Sequence, residues 1–324
     1  MTDHLYIRMS DTDDGVRPWP DSNTPKFWDN DGLWIRTFPD PNHPQDHVDS
    51  NTTRVGLKTL VMVRVKNKGP ELMQDVRIQA YLFPPGFGAM TPSAKQAVFN
   101  LAPPTNINPG AVVEIEVPPQ WTPLDSDYQK TSGGHFCIAA NVYTSTDGKE
   151  VGAFETFEPV NNAHHAQRNL VLNDAPHGPG TSSKVPTTQY PPPVSDMLYL
   201  VTAEHVTTKP SPGQLDMLVH HPRVVSTEAG LARGEVGLST SSGTVPITVG
   251  TEPPVFGLSS DFIPGLDTRF RFAPDRPDRI DTDLIVDLPK DAPLGSLYTF
   301  DIALWSERGD MVGCPLRVML LVTE

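Results

Sequence analysis

Two cysteines in 324 residues are too few to staple a fold. Cys137 lies in the apolar run HFCIAANV and Cys314 in GCPLRVMLLV, so both read as small buried side chains, with a disulfide between them left open. No run of about 18 apolar residues occurs, so no membrane insertion by a helix is predicted. The opening MTDHLYIRMSDTDDG is polar and lacks the basic-then-apolar pattern of a secretory signal. The expectation is a soluble protein made in the cytosol. Export without a cleaved signal, or a place in a particle-associated assembly, is left open. An excess of basic charge is missing too: 39 acidic residues face 25 basic ones, for a net charge of −14. Such a chain repels phosphate backbones, which argues against nucleic-acid partners.

Catalytic signatures are equally scarce. There is no Gly-x-Ser-x-Gly elbow, no phosphate-cradling glycine loop and no HExxH pair. The serines of STSSG sit in a turn-forming context. Paired carboxylates for glycoside hydrolysis can be drawn from anywhere in a fold, so a hydrolase with a site between domains stays as a third reading. Convincing helical periodicity is absent.

Proline is what the chain has in quantity. It holds 35 prolines and 24 glycines, and this much proline removes backbone donors and breaks helices. Short strands joined by turns are the natural consequence. In VMVRVKNKGPELMQDVRIQAYLF, Val61, Val63 and Val65 share one face, with Arg64 and Lys66 on the other. After the turn at Asn67-Lys68-Gly69-Pro70, Val76, Ile78, Ala80 and Leu82 share a face, with Arg77, Gln79 and Tyr81 opposite. Period two of this length marks half-buried strands. The polar face is predicted to be solvated or paired with a neighbour.

Further strands are predicted at HLYIRM, LWIRTF, AVVEIEV, GGHFCIAANVYT and AQRNLVL. A second set follows at MLYLVTA, LDMLVHH, EVGLST, VPITVG, TRFRFAP, DLIVDLP, SLYTFDIALWSE and PLRVMLLV. Between the sets, NDAPHGPGTSSKVPTTQYPPPVSD lacks periodicity and has the composition of a linker. The predicted organisation is a first β-sandwich at residues 1–174 with an N-terminal excursion, a linker at 175–195, and a second sandwich at 196–324. The fold class is all-β, with antiparallel sandwiches in tandem.

MVRVKNKGPELMQDVRIQAYLF resembles the bacterial immunoglobulin-like module of the CARDB type, named for cell-adhesion-related domains. NPGAVVEIEV, GGHFCIAANV and NNAHHAQRNLVL follow in the order of that module. The likeness covers roughly residues 1–175. It implies an immunoglobulin-like sandwich serving as a non-catalytic spacer or adhesion module, and it brings no catalytic residues with it. The second half resembles an immunoglobulin-like sandwich only generically.

Three local features are candidates for binding. DTDDG and WDNDG place Asp11, Asp13, Asp14, Asp29 and Asp31 in turns that could wrap Ca²⁺ if the two loops converge. The competing reading is turn chemistry, since Asp and Asn bond their own backbone and Gly supplies positive φ. Trp19, Phe27, Trp28, Trp34 and Phe38 crowd the first forty residues. Exposed, Trp19 and Trp28 would meet a partner or a sugar ring; buried, they would pin the excursion to the first sandwich. In LFPPGFGAMTPSAKQ, Phe87 and Met90 are expected at the tip of an exposed contact loop. His164-His165, His220-His221 and the group His43, Asp46, His47 read as polar loop or strand residues rather than zinc ligands. The expectation is a non-enzymatic structural or interaction protein that docks onto a protein partner or self-assembles. A Ca²⁺-assisted carbohydrate-binding module is the alternative.

Overall fold

The computed structural model describes residues 4–324 apart from 20–25, 41, 43, 51, 102, 129–134, 177, 179–181, 193–196, 220–223, 226–236, 241–242, 260–268 and 273–276. In chain order the strands begin with β1 (Leu5–Ile7), β2 (Leu33–Phe38), β3 (Val48–Ser50), β4 (Lys58–Asn67), β5 (Met73–Phe83) and β6 (Gly86–Gly88). β7 (Ala97–Asn100), β8 (Thr105–Ile107), β9 (Val112–Trp121), the one-turn helix α1 (Asp125–Tyr128), β10 (Cys137–Thr144) and β11 (His165–Arg168) follow. Next come β12 (Leu170–Pro176), β13 (Ser182–Tyr190), β14 (Tyr199–Val206), helix α2 (Pro212–Val219), β15 (Val224–Val225), β16 (Gly237–Thr240) and β17 (Gly243–Pro246). The last are β18 (Thr248–Val249), β19 (Val255–Ser259), β20 (Arg269–Phe270), β21 (Ile280–Asp287), β22 (Ser296–Ser306) and β23 (Leu316–Thr323).

The chain is all-β in character, and its sheets enclose two main cores. The first core lies between a sheet of β1, β2, β3, β4 and β9 and a sheet of β5, β7, β8, β10 and β11. Val61, Val63 and Val65 face Val76, Ile78, Ala80 and Leu82 across it, as their alternation predicts. The opposite face of β4 and β5 is paired rather than bare. Arg64 reaches Glu114 of β9 at 3.0 Å and stacks over Trp34, with 5.6 Å to the ring centre. Gln79 donates to Glu150 at 3.0 Å. The Arg64–Glu114 pair spans neighbouring strands, where such contacts set register more than they add stability. The second core lies between the order β12-β23-β22-β14-β20 and the order β19-β21-β13-β6.

The two cores are built from interleaved pieces of chain. AQRNLVL, expected as one closing strand, divides at Asn169. β11 stays antiparallel to β10, while β12 crosses over and runs parallel to β23. The stretch 175–195, expected as a linker, carries β13, which pairs antiparallel with β21 over Ser182–Gln189. Its inward positions are Ser183, Val185 and Thr187, so its period of two rests largely on hydroxyl residues and vanishes from a hydrophobicity pattern. The Phe83–Gln96 loop is not an exposed excursion either. Within it, β6 adds a parallel strand to β13, and Gly88 exchanges backbone bonds with Cys314 at 2.8 and 2.9 Å. LDMLVHH, expected as a strand, lies in α2 up to Val219.

Glycine is required where these pieces meet. A methyl group on Gly86 would overlap the Thr188 carbonyl, and one on Gly88 would overlap the Tyr190 carbonyl. Gly88 also has a φ of +108°, which other residues rarely adopt. Gly88→Ala is therefore expected to cost about 2–4 kcal/mol in denaturant unfolding. Gly110 has a φ of +70° but open space around it, so Gly110→Ala should cost only about 1 kcal/mol. Equal losses in the two variants would show that the close approach of β6 to β13 does not matter.

Candidate functional site

The acidic turns expected to hold a cation do approach each other. Asp31 N donates to the Met9 carbonyl at 3.0 Å. Their side chains, however, are engaged within the protein. Asp13 is buried and accepts from Met9 N at 3.0 Å and Gly15 N at 2.9 Å, with Arg17 Nη1 at 3.1 Å. Asp14 accepts from Val16 N at 3.0 Å, and exposed Asp11 lies 3.4 Å from Arg8. Asp29 turns away from this group. Among the described residues, no three or more His, Cys, Asp or Glu side chains converge as metal ligands would.

The histidines are held just as locally. His164 Nδ1 donates to the Val142 carbonyl at 2.6 Å. His165 Nδ1 accepts from Glu158 N at 3.0 Å, and burial, helped by His164, lowers its pKa to about 4. His47 lies 4.0 Å from Asp49, while His43, His220 and His221 are outside the described residues. Cys137 and Cys314 are free and share a small core with Tyr190 and Phe157, where burial pushes both thiols up.

The expected contact residues are inside the molecule. Trp19 and Trp28 are each 6% exposed, Phe87 is 1% and Met90 is 0%. Phe87 fills the second core and Met90 the small core beside it, so neither can serve as the surface contact expected of them. Trp28 belongs to the first core, edge-on to Phe27 at 4.6 Å. Its role is the anchoring one, but it anchors to both halves of the chain.

That anchor is an ionic junction. Asp301 on β22 sits directly across from Arg317 on β23. Arg317 Nε and Nη2 donate to the two Asp301 oxygens, both at 2.7 Å. The remaining arm, Nη1, donates to Asp29 Oδ2 at 2.8 Å. Trp28 Nε1 donates to Asp301 Oδ1 at 3.1 Å, and the guanidinium lies 6.0 Å from the Trp28 ring centre. Ser211 Oγ donates to Asp29 Oδ1 at 2.8 Å. Ser211 also caps α2, accepting from Gln214 N at 3.2 Å, while Gln214 Oε1 accepts from Ser211 N at 3.1 Å. This Ser-x-x-Gln capping box is the signal in SPGQ that identifies a helix.

One buried guanidinium is thus divided between two buried carboxylates. Burial pushes Asp29 up to about 6, against the pull of Arg317, the Ser211 hydrogen bond and Arg168; Asp31 adds to the rise. Burial also disfavours the charge on Arg317, but the Asp301 and Asp29 contacts outweigh it and hold its pKa above the usual range. Asp301 holds two arms of the fork and Asp29 the third, so both carboxylates depend on the one cation.

The ionic group forms the floor of a cleft of about 740 Å³, walled by Lys26, Glu204, His205, Thr207, Lys209, Trp305 and Met311. Arg317, Ser211 and Trp305 were not singled out from the sequence. Arg317 is one basic residue in an apolar strand, and its partner Asp29 is 288 positions away.

Asp29 gives the fold a pH signature. The folded pKa of about 6 exceeds the 3.8 of an ordinary aspartate. Between these limits the folded protein keeps a proton that the unfolded chain releases. Its contribution is full below about pH 4 and is lost as pH rises through 6. Asp29→Asn cannot titrate, so the wild type should lose about 2–3 kcal/mol relative to the variant between pH 4 and 7. Arg317→Met leaves two carboxylates without their cation and should cost about 3–5 kcal/mol at pH 7, with partial recovery at pH 5. Unfolding titrations across this range check both.

No family model matches the chain, and no curated protein does. Among solved structures, it is similar to the crystal structure of the CupB6 tip adhesin from Pseudomonas aeruginosa, at 9% identity and a TM-score of 0.22, covering 86% of this chain and 94% of that one. It is also similar to the crystal structure of the collagen adhesin (CNA) from S. aureus, at 9% identity and a TM-score of 0.17, covering 90% and 93%. At these TM-scores neither likeness carries an argument about what the chain does.

Proposed function

We propose that the chain is a non-enzymatic interaction protein that docks onto a protein partner through the turn at Phe154. The observation that carries this reading is that Phe154 is 75% exposed at the tip of a pinned turn. Glu155 N donates to the Gly152 carbonyl at 3.0 Å, and Gly152 N donates to Glu155 Oε2 at 3.1 Å. Ser93 N donates to the Ala153 carbonyl at 2.8 Å. Val151 and Phe157 are buried on either side. Single apolar residues are common on surfaces. What sets Phe154 apart is that its backbone is already ordered, so docking it costs little further entropy. Burying the ring against a partner is worth about 1.5–3 kcal/mol.

The turn lies among exposed carboxylates. Glu150, Glu155 and Glu158 stand within four residues of Phe154. The matching surface is an apolar pocket rimmed by Lys or Arg. With a net charge of −14, two copies of the chain would repel, which favours a different protein as the partner over self-assembly. The non-enzymatic part of the reading rests on the engaged state of the buried ionic groups. Asp13 faces Arg17, and Asp29 and Asp301 share Arg317.

Phe154→Ser is expected to melt as the wild type does, because its side chain supports nothing inside the fold. Capture of the partner from a native lysate, scored by the same band with both proteins, should fall about tenfold in the variant and weaken with salt. Equal capture by the two proteins, or a wild type that stays a strict monomer and captures nothing, would overturn the reading.

A further inference from the structure

We infer that the cleft above the Arg317 junction binds a short neutral oligosaccharide, with the Trp305 indole as its platform. The cleft volume of about 740 Å³ falls within the range of small-ligand sites. Its lining is balanced in sign: Lys26, Lys209 and Arg317 stand against Asp29, Glu204 and Asp301. His205 adds no charge near neutral pH, since burial lowers its pKa. The deep carboxylates and the guanidinium already satisfy one another. A ligand with net charge of either sign would therefore gain one set of neighbours and offend the other. A neutral ligand rich in hydroxyls can donate to the acids and accept from the ammonium and hydroxyl groups at once.

Trp305 supplies the apolar element. It is half-buried near the end of β22, and its Nε1 donates to Thr202 Oγ1 at 2.9 Å, which fixes the ring. The same residue lines a second cavity of about 290 Å³, together with Tyr199 and Arg269. Trp305 therefore borders open space in two neighbouring cavities. A pre-oriented ring beside convergent hydroxyl, carboxylate and ammonium groups suits a sugar, whose C–H faces are apolar and whose edges are polar. Thr207, Thr208, Glu204 and Lys209 are exposed at the rim, where they can meet those edges. The Trp28 ring is a poor platform by comparison, because it is buried with Lys26 5.9 Å from its centre and Arg317 at 6.0 Å. This inference does not depend on the Phe154 turn.

The test is titration of the full chain with neutral probes, namely maltose, cellobiose, lactose and chitobiose, read by tryptophan fluorescence and calorimetry. Sialyllactose and glucosamine serve as charged controls. Saturable binding of at least one neutral probe is expected, with charged controls no tighter. Trp305→Ala should weaken it by about tenfold or more, and the exposed rim changes Glu204→Gln and Lys209→Ala by about threefold each. If Trp305→Ala lowers the melting temperature, the two rim variants alone decide. Absence of saturable binding by every neutral probe, tighter binding of a charged control, or binding that all folded variants retain unchanged would each overturn the inference.

Discussion

A single guanidinium shared between two carboxylates holds the arrangement together. Arg317 spends two of its arms on Asp301, its cross-strand neighbour, and one on Asp29 from the opposite end of the sequence. A charge taken out of water needs partners with good geometry, and the planar fork of arginine supplies three bonds from one rigid group. Because Asp29 follows Trp28, and Trp28 sits in the first core, the ion group fixes how the first core sits on the second. Ser211 extends the same network to α2. Removing any one member would leave another stranded, so sheet, excursion and helix depend on each other.

Around that junction the chain is interleaved. β12 leaves the first half to lie beside β23, and β6 leaves it to lie beside β13. Asn169 marks the crossing point. Its side chain donates to the carbonyls of Gly86 and Pro315, both at 2.6 Å, and its backbone bonds Trp28 and Arg317, both at 3.0 Å. This is a polar network buried at a strand crossing, and its worth lies in fixing one arrangement rather than in raw stability.

The regular strands were legible in the sequence because their inward residues are apolar. Val61, Val63 and Val65 could be placed by inspection, and they are buried as read. β13 was not legible, because Ser183 and Thr187 face inward and mimic linker composition. The helix α2 was readable in principle from Ser211 and Gln214, but its short apolar run looked like a strand. Phe87 and Met90 looked exposed because proline and glycine surround them. What buries them is chain that comes later: Met90 shares its core with Phe157, Tyr190 and Cys314, and Phe87 shares its own with Val171, Val185 and the last strands. The junction depends on a pairing across 288 positions, and no local pattern encodes that. The acidic turns were legible as turns, and the arginines facing them were not. Phe154 escaped notice because one phenylalanine in GAFE carries no period.

The parallel pairing of β12 with β23 has a mechanical consequence. β12 starts at Leu170, two residues after β11 ends, and its register with β23 runs through Pro176 and Thr323. A force drawing the first half away from the second along the chain would pull β12 lengthwise past its neighbour. Hydrogen bonds loaded in that direction share the strain and must fail together, whereas a hairpin pulled open at its end loses them one at a time. Against such a pull the strand crossing would act as a lap joint rather than a hinge.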